Sequence, residues 1–307
     1  MKKQILLSVF LVTVTSFAHS DWLQATSPLL EQSQSAVKNL SNTVKTYCSQ
    51  PQEAILLQAQ NQWRQLAQVW IPYQALQPSR LEQTGLSFRM HFWPDPKDLI
   101  GKQTQQSIGK TPFKKLPAPA VGLDAMEWLL FPGTGIEEKA TCKWAVKLIK
   151  QFAGQIEQIK KQPLSAQENS ADYQVNTLVN MLAAMNKRLD RLTRSGKGYN
   201  GYGMDGWRSQ SQVAILNGFA QVAALRATQM QSHLSSQSLG NTQNLIEALE
   251  EQLVSLAIPP LGQTPTTPQL EKIIHVKEAV ENVLKQLAND VAQEHQVTIG
   301  FNNADGD

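Results

Sequence analysis

The sequence TCKWAVKLIKQFAGQIEQIKKQP, residues 141–163, carries apolar side chains at the spacing of one helix face. The apolar positions are Ala145, Leu148, Ile149, Phe152, Ile156 and Ile159. They recur every three or four residues, which is the period of an α-helix with one buried side. Pro163 closes the run, because proline cannot continue a helical backbone. The stretch therefore predicts a long amphipathic helix that contributes one face to a core.

The same helical period recurs along most of the chain. Helices are predicted within residues 23–47, 52–70, 123–131, 173–192, 209–233, 242–257 and 269–296. No stretch alternates apolar and polar residues with β-branched enrichment, as strands do. Residues 72–119 are rich in Pro, Gly and Gln, and we expect them to be irregular. The pattern predicts an all-α fold of helical bundles, in which the glycine-rich segment 195–206 either separates two bundles or forms a functional loop.

The first twenty residues have the organisation of a secretory signal peptide. Lys2 and Lys3 precede a short apolar run, and small residues end it before an expected cut ahead of Asp21. That run is too short to span a membrane, and no later run reaches about 18 apolar residues. We therefore expect a soluble protein that is exported to the periplasm and does not span the membrane.

The composition excludes two other classes of protein. With 41% hydrophobic and 17% charged residues, the chain is too apolar to be disordered. It has 28 basic and 25 acidic residues, and the signal peptide holds two of the lysines. The mature chain is therefore nearly neutral and has no run of Lys and Arg with interleaved aromatics, so no nucleic-acid partner is expected.

Two cysteines, Cys48 and Cys142, are present. Two cysteines in an exported chain usually pair, and a disulfide would join the end of the first predicted helix to the start of a later one. Two free thiols and metal ligation remain open as alternatives. A metal site is the weaker of these, because the pair lacks the CxxC spacing of zinc sites.

An acidic pair opens the short predicted helix near residue 123. Asp124 and Glu127 are three residues apart, so a helix places both carboxylates on one face. Two such carboxylates can bind a hard cation or separate their pKa values for acid–base chemistry. Acidic residues in a first turn also interact favourably with the helix dipole, which is the structural alternative.

Other candidate residues lie in turns and at the chain end. Asp95 follows Trp93 in a Trp-Pro-Asp turn, and Arg208 stands where a later helix is expected to begin, suited to bind an anion or simply to lie beside a helix cap. Asp305 belongs to the terminal sequence GFNNADGD, which is either a ligand-binding tail or a solvated one. Among the histidines only His91, two residues before Trp93, draws attention. Signatures of nucleophilic hydrolases and nucleotide-binding loops are absent.

Three segments resemble the imelysin-like family, also filed as peptidase family M75. They are Trp63 to Trp70 leading to Phe92-Trp93-Pro94-Asp95, the run Gly122 to Phe131, which is similar to the family's GxHxxE motif, and the closing GFN–DGD. The resemblance implies two halves, roughly residues 21–165 and 166–307, each similar to a four-helix bundle. It also implies a periplasmic location, links to iron uptake, and a site between the halves near the GxHxxE segment.

The chain departs from the family motif at one position, because Asp124 stands where the family has histidine. Glu127 matches the family glutamate and keeps a candidate metal-ligand role. A carboxylate in place of the imidazole favours harder cations such as ferric iron or Ca²⁺. The resemblance extends the cleft to Trp93, Asp95, Arg208 and Asp305.

These features favour an exported protein that binds a metal, with iron as the leading ion, or a metal-associated ligand. Its partners would be that ligand and an outer-membrane or iron-uptake component. A secreted metallopeptidase and a metal-independent ligand- or partner-binding protein are the alternatives. The peptidase is less favoured, since a catalytic zinc usually has three protein ligands with histidine among them.

Overall fold

The computed structural model describes residues 26–131, 136, 138–193, 204–234, 236–259 and 263–300. These ranges contain helices, turns and irregular segments and no strand, so the all-α prediction is confirmed. The predicted signal peptide, residues 1–20, and Asp305 lie outside the described residues. Within the described ranges, none of the helices combines the length and the hydropathy that crossing a bilayer requires.

The first half of the chain forms three long helices with four short ones between the second and third. They are α1 (Ser27–Ser49), α2 (Glu53–Ala75), α3 (Ser79–Glu82), α4 (Ser87–Met90), α5 (Leu99–Ser107), α6 (Gly122–Leu130) and α7 (Lys139–Lys160). Helix α1 packs between α2 and α7, while α6 packs against α7, α5 and α2. The short helices fill the segment that the sequence predicted to be irregular.

The second half of the chain is a bundle of four long helices. They are α8 (Ala171–Thr193), α9 (Gln212–Leu234), α10 (Gln237–Val254) and α11 (Thr267–Gln286). Helix α11 runs on into a π-helical turn, Leu287–Val291, and a last turn, Ala292–Glu294. Helices α9 and α10, α10 and α11, and α8 and α11 are packed neighbours, and α2 packs against α9 to join this bundle to the first. The predicted architecture of two helical-bundle halves is confirmed.

Helix α7 buries the face that its sequence predicted. All six apolar positions of that face are at most 1% exposed: Ala145, Leu148, Ile149, Phe152, Ile156 and Ile159. It runs antiparallel to α1, because Cys48 near the end of α1 is bonded to Cys142 near the start of α7. At the opposite ends, Lys160 Nζ donates to Gln34 Oε1 at 2.5 Å. The predicted disulfide is therefore confirmed, and free thiols and metal ligation by this pair are excluded.

Helix α2 extends beyond its predicted end at Trp70 and includes Pro72 in its last turn. Proline removes one backbone donor, so the carbonyl of Gln68, four residues earlier, has no intrahelical partner. Helix α9 contacts α2 at this carbonyl. A Cβ on Gly218 would stand only 2.1 Å from the Gln68 oxygen. The absent side chain of Gly218 is what lets the two halves approach here.

Replacing Gly218 with alanine should lower the free energy of unfolding by about 1–3 kcal/mol, because the added methyl group meets backbone that cannot rotate away. The matched control is Gly154→Ala in α7, where a Cβ has no neighbour within 4 Å. At Gly154 the change should raise the free energy of unfolding by about 0.5–1 kcal/mol, because alanine has a higher helix propensity than glycine. Urea unfolding measures both; equal shifts in the same direction would contradict a close contact at Gly218.

Candidate functional site

Helix α6 is held in place by its first residue, Gly122, and by hydrogen bonds from α2. Gly122 has φ +83°, and a Cβ there would lie 2.5 Å from the backbone oxygens of Arg89 and Met90, so only glycine fits. Trp63 Nε1 in α2 donates to the Leu123 carbonyl at 2.9 Å, and Gln60 of α2 donates to the last carbonyl of α6. All nine residues of α6 are buried, including both acids. The acidic pair therefore faces the protein interior.

Asp124 contacts the segment that follows α4. Its Oδ2 accepts the backbone N–H of Phe92 at 2.7 Å, and its Oδ1 lies 3.5 Å from His91 Nε2. Burial raises the pKa of Asp124 to about 6, and the neighbouring His91 limits the rise. Near neutral pH the Asp124 carboxyl can therefore either bind a proton or stay ionised beside a cation.

His91 joins Asp124 to a second buried carboxylate, Asp205. His91 Nε2 is 2.9 Å from Asp205 Oδ1, and Arg188 Nε donates to Asp205 Oδ2. Burial opposes the charged imidazole, but Asp124 and Asp205 outweigh it and raise the pKa of His91. Burial likewise opposes ionised Asp205, but Arg188 and His91 lower its pKa. The four side chains form a line of alternating charge in the core.

Glu127 accepts two hydrogen bonds from Ser209, which lies three residues before the start of α9. Its Oε1 accepts the backbone N–H of Ser209 at 2.8 Å and the Ser209 hydroxyl at 2.7 Å. Burial raises the pKa of Glu127 to about 7, although both bonds from Ser209 oppose the rise. A buried carboxylate in this state can carry or release a proton near neutral pH.

Three of these carboxylates, those of Asp124, Glu127 and Asp205, line one recess between the two halves, whereas His91 and Arg188 lie behind its wall. The cavity volume of this recess is ≈ 10 Å³. That space suits about one water molecule or ion. Each predicted site residue among those described lines it: Trp93, Asp95, Asp124, Glu127 and Arg208.

The other predicted residues mainly build the wall of this recess. Asp95 accepts the backbone N–H groups of Leu99 and Ile100 with its two oxygens, at 2.8 and 2.9 Å, and so holds the start of α5. The guanidinium of Arg188 stacks on the Trp93 ring, 3.9 Å from its centroid. Asp95 and Trp93 therefore stabilise the local structure and also line the recess.

Arg208 is also anchored at the wall. It pairs with Asp98 at 2.9 Å and lies 4.0 Å from the centroid of the Trp207 ring. Helix α9 begins at Gln212, so Arg208 stands in the turn before it rather than at the helix start. Arg208 lines the recess while it is paired with Asp98, and its charge opposes the rise in the pKa of Glu127.

Three of the buried side chains could hold a metal ion. One ligand atom each from His91, Asp124 and Asp205 lie within 4.8 Å of one another, and all three residues are buried. An imidazole nitrogen with two carboxylate oxygens suits iron, manganese or zinc. Glu127 lies outside this group, and its predicted ligand role stays a prediction.

His91 and Asp205 are the residues that sequence reasoning missed as ligands. His91 had one signal, its place two residues before Trp93. Asp205 lies three residues before Arg208, the residue of this segment that the sequence analysis named as suited to bind an anion. Nothing in the sequence relates residues 91, 124 and 205, because the fold alone brings them together.

Glu127→Gln tests the raised pKa of Glu127 in protein treated with chelator. Its folded pKa, about 7, exceeds the ordinary value of 4.5, so its share of stability is present at low pH and lost as pH rises. The free energy of unfolding of wild type minus that of Glu127→Gln should fall by about 1.4 kcal/mol per pH unit between pH ~5 and ~7. Urea unfolding at a series of pH values measures it. A difference that stays constant over this range would show an ordinary pKa.

Fold and site together define an all-helical protein of two packed bundles with a buried acidic recess at their junction. The sequence model of the family Imelysin, Peptidase M75, matches residues 27–299. The chain therefore belongs to the imelysin family. None of the curated protein sequences matches it.

Two solved structures share the fold. An imelysin-like protein from Psychrobacter arcticum 273-4 superposes with a TM-score of 0.76 at 14% identity, covering 94% of this chain and 100% of the other. A protein from Parabacteroides distasonis ATCC 8503, provisionally described as an iron-regulated protein A precursor, gives 0.61 at 11% identity, covering 89% and 96%. At these identities the similarity establishes the fold alone.

Proposed function

We propose that this chain is an exported periplasmic protein that binds a metal ion, iron or another hard cation, and serves in iron acquisition. The observation that carries the proposal is the convergence of His91, Asp124 and Asp205 in one buried group. Buried charges in proteins are paired or bind metals, because isolated ones are strongly unfavourable. The recess is a place where a cation would satisfy two carboxylates at once.

The donor set supports iron over zinc as the ion. Where the family motif has histidine, this chain has Asp124, and His91 supplies an imidazole from another segment at 3.5 Å. The group therefore keeps one nitrogen donor and has two carboxylates. Carboxylate-rich sites favour harder cations than the histidine-rich sites of catalytic zinc. A bound ion would supply the charge that holds these ligands together.

The size of the recess supports binding rather than peptide hydrolysis. Its volume suits one ion or water molecule, so a peptide would have to reach the ion from outside the recess. Hydrolysis requires a metal with an open position for water and substrate. We therefore assign no catalytic residue.

The wider setting comes from the family and from the sequence. Membership of the imelysin family, together with a structural neighbour described as iron-regulated, supports a role in iron uptake. The signal peptide predicted for residues 1–20 supports export. We propose halves of roughly 21–165 and 166–307, supported by the packing of α1, α2 and α7 and of α8–α11. An outer-membrane or iron-uptake component is the proposed partner.

The test is a metal titration of protein stripped with chelator. Ferrous, ferric, manganous, zinc and calcium ions are added singly, and thermal unfolding and calorimetry are followed. An ion at 100 times its dissociation constant should stabilise by about 2.7 kcal/mol. Asp124→Asn should remove this gain, because it deletes a charged ligand.

The matched control is Asp98→Asn. Asp98 lines the same recess but pairs with Arg208 and lies outside the group of three. This variant should retain the metal-dependent gain. No gain with any of the five ions in wild type, or equal loss in the two variants, would overturn the proposal.

One observation favours a second candidate function, metal-independent binding of a small ligand. Arg188 and a protonated His91 already offer two positive charges to Asp124 and Asp205. The charge of the group can therefore be balanced without a metal. In that case wild type would show no response to ions, and a ligand would co-purify in the presence of chelator.

A further inference from the structure

Helix α7 carries a straight row of lysines on its outer side. Lys139, Lys143, Lys147 and Lys150 are all exposed. At 100° per residue, these positions fall within an arc of about 80° of the helix surface. The row lies opposite the buried face of α7, so the four ammonium groups share one outward direction.

Two neighbouring elements add lysines to this row. On one side, Phe113 packs on Trp144 of α7 with ring centroids 4.7 Å apart, and the exposed Lys114 and Lys115 follow it. On the other side, Lys45 of α1 lies one turn before the cysteine that is bonded to α7. We call this set the lysine face: Lys45, Lys114, Lys115, Lys139, Lys143, Lys147 and Lys150.

The positive charge of the lysine face is not neutralised locally. Within the part of the chain that the structure describes, no carboxylate forms an ion pair with any of its seven members. Glu138, which precedes Lys139, is the nearest acid along the chain. Residues 97–161 hold 11 lysines and 6 acids, whereas residues 162–307 hold 10 basic and 14 acidic residues. Charge is thus separated between the halves although the whole is nearly neutral.

An exposed aromatic side chain stands beside the lysine face. Phe88 in α4 is 67% exposed. The next residue, Arg89, donates from Nη1 to the Leu116 carbonyl at 3.2 Å, which fixes α4 next to Lys115. Exposed apolar side chains flanked by cations are typical of surfaces that lie on a membrane.

We propose that the lysine face with Phe88 docks this protein on an anionic phospholipid surface. Lysines attract anionic headgroups without specific geometry, and Phe88 would enter the headgroup region. Lysine is depleted in protein–protein interfaces, which argues against a protein partner. The face contains no arginine for bidentate contacts and lacks a row of aromatics for stacking bases, which argues against nucleic acid.

The test uses the disulfide-bonded chain and vesicles of phosphatidylcholine, with or without 30% phosphatidylglycerol. Binding should require the anionic lipid and weaken as salt rises. Lys143→Gln/Lys147→Gln should lower the partition coefficient by about fivefold per lysine, roughly 25-fold in all. The matched control, Lys272→Gln/Lys285→Gln on α11, removes the same charge from exposed positions of the other half and should change it less than twofold.

A second pair of variants tests the apolar contact. Phe88→Ser should lower the partition several-fold, whereas Val254→Ser, at an 84% exposed position of the other half, should not. The proposal fails if wild type does not bind anionic vesicles at low salt, or if both lysine pairs weaken binding equally. It also fails if duplex DNA at equal phosphate concentration displaces the vesicles completely.

Discussion

Arg188→Met is expected to lower the free energy of unfolding by about 3–5 kcal/mol, because it leaves the buried carboxylate of Asp205 with only one of its two charged partners, His91. Arg188 and Asp205 are 3% and 4% exposed, and the carboxylate stays ionised through its contacts with Arg188 and His91. Methionine can fill part of the same space against Trp93 and Phe219. The loss therefore reports the uncompensated charge more than lost packing.

Two further variants separate charge from packing. Arg188→Met/Asp205→Asn removes both charges and should recover at least half of the loss, as buried pairs replaced together often do. Arg191→Met is the control, because Arg191 also lies over the Trp93 ring, at 5.3 Å, but is only half-buried. It should change the free energy of unfolding by less than about 1 kcal/mol. Equal losses for Arg188 and Arg191 in urea unfolding would contradict this account.

Arg188→Met also bears on metal binding. Without Arg188, Asp205 keeps only His91 as a charged partner, so a cation in the group of His91, Asp124 and Asp205 would supply the counter-charge that Arg188 gave. The thermal stabilisation produced by the binding ion should therefore be larger in this variant than in wild type. A smaller stabilisation would favour the metal-independent alternative.

Removing the disulfide is the second change with a large expected effect. Cys48→Ala/Cys142→Ala should lower the free energy of unfolding by about 2–5 kcal/mol, since the bond closes a long loop in the unfolded chain. The two residues are 94 positions apart in sequence. Alanine is chosen over serine because Cys142 is only 6% exposed, and a serine hydroxyl would be buried there.

The matched comparison for the disulfide is wild type unfolded with and without a reducing agent. Reduction should reproduce the loss seen in the double variant, because both open the same loop. Urea unfolding at one pH measures the double variant and wild type with and without the reducing agent. If the double variant is as stable as oxidised wild type, the bond does not limit the unfolded chain in the way proposed here.

Local patterns predicted most helices because their signals are short-range. The apolar period of residues 141–163 places α7 within a few residues of Lys139–Lys160, and its predicted face is the buried one. The helix predicted within residues 123–131 is α6, Gly122–Leu130, so both of its ends were predicted to within one residue. The end predicted for α2, at Trp70, was wrong, because the helix continues through Pro72 to Ala75. The turn in which proline removes a hydrogen bond is packed against α9 at Gly218.

The segment between α2 and α6 could not be predicted in the same way. Its short helices, α3, α4 and α5, have too few residues for a periodic signal and are held by contacts with distant elements. In α3, for example, the backbone N–H of Ser79 donates to the hydroxyl of Tyr173 in α8 at 2.9 Å. The resemblance to imelysins pointed to this segment as part of a cleft, and Trp93 and Asp95 do line the recess.

The sequence by itself predicted the long helices and the acidic pair of α6, because each depends on residue types at short spacing. It also favoured a disulfide, because two cysteines in an exported chain usually pair. Tertiary structure alone decided which charges meet. His91, Asp124 and Asp205 come from three distant segments, and Arg188 from a fourth. Their mutual distances follow from how α6 is held against α2 and how the two bundles pack, which no local pattern encodes.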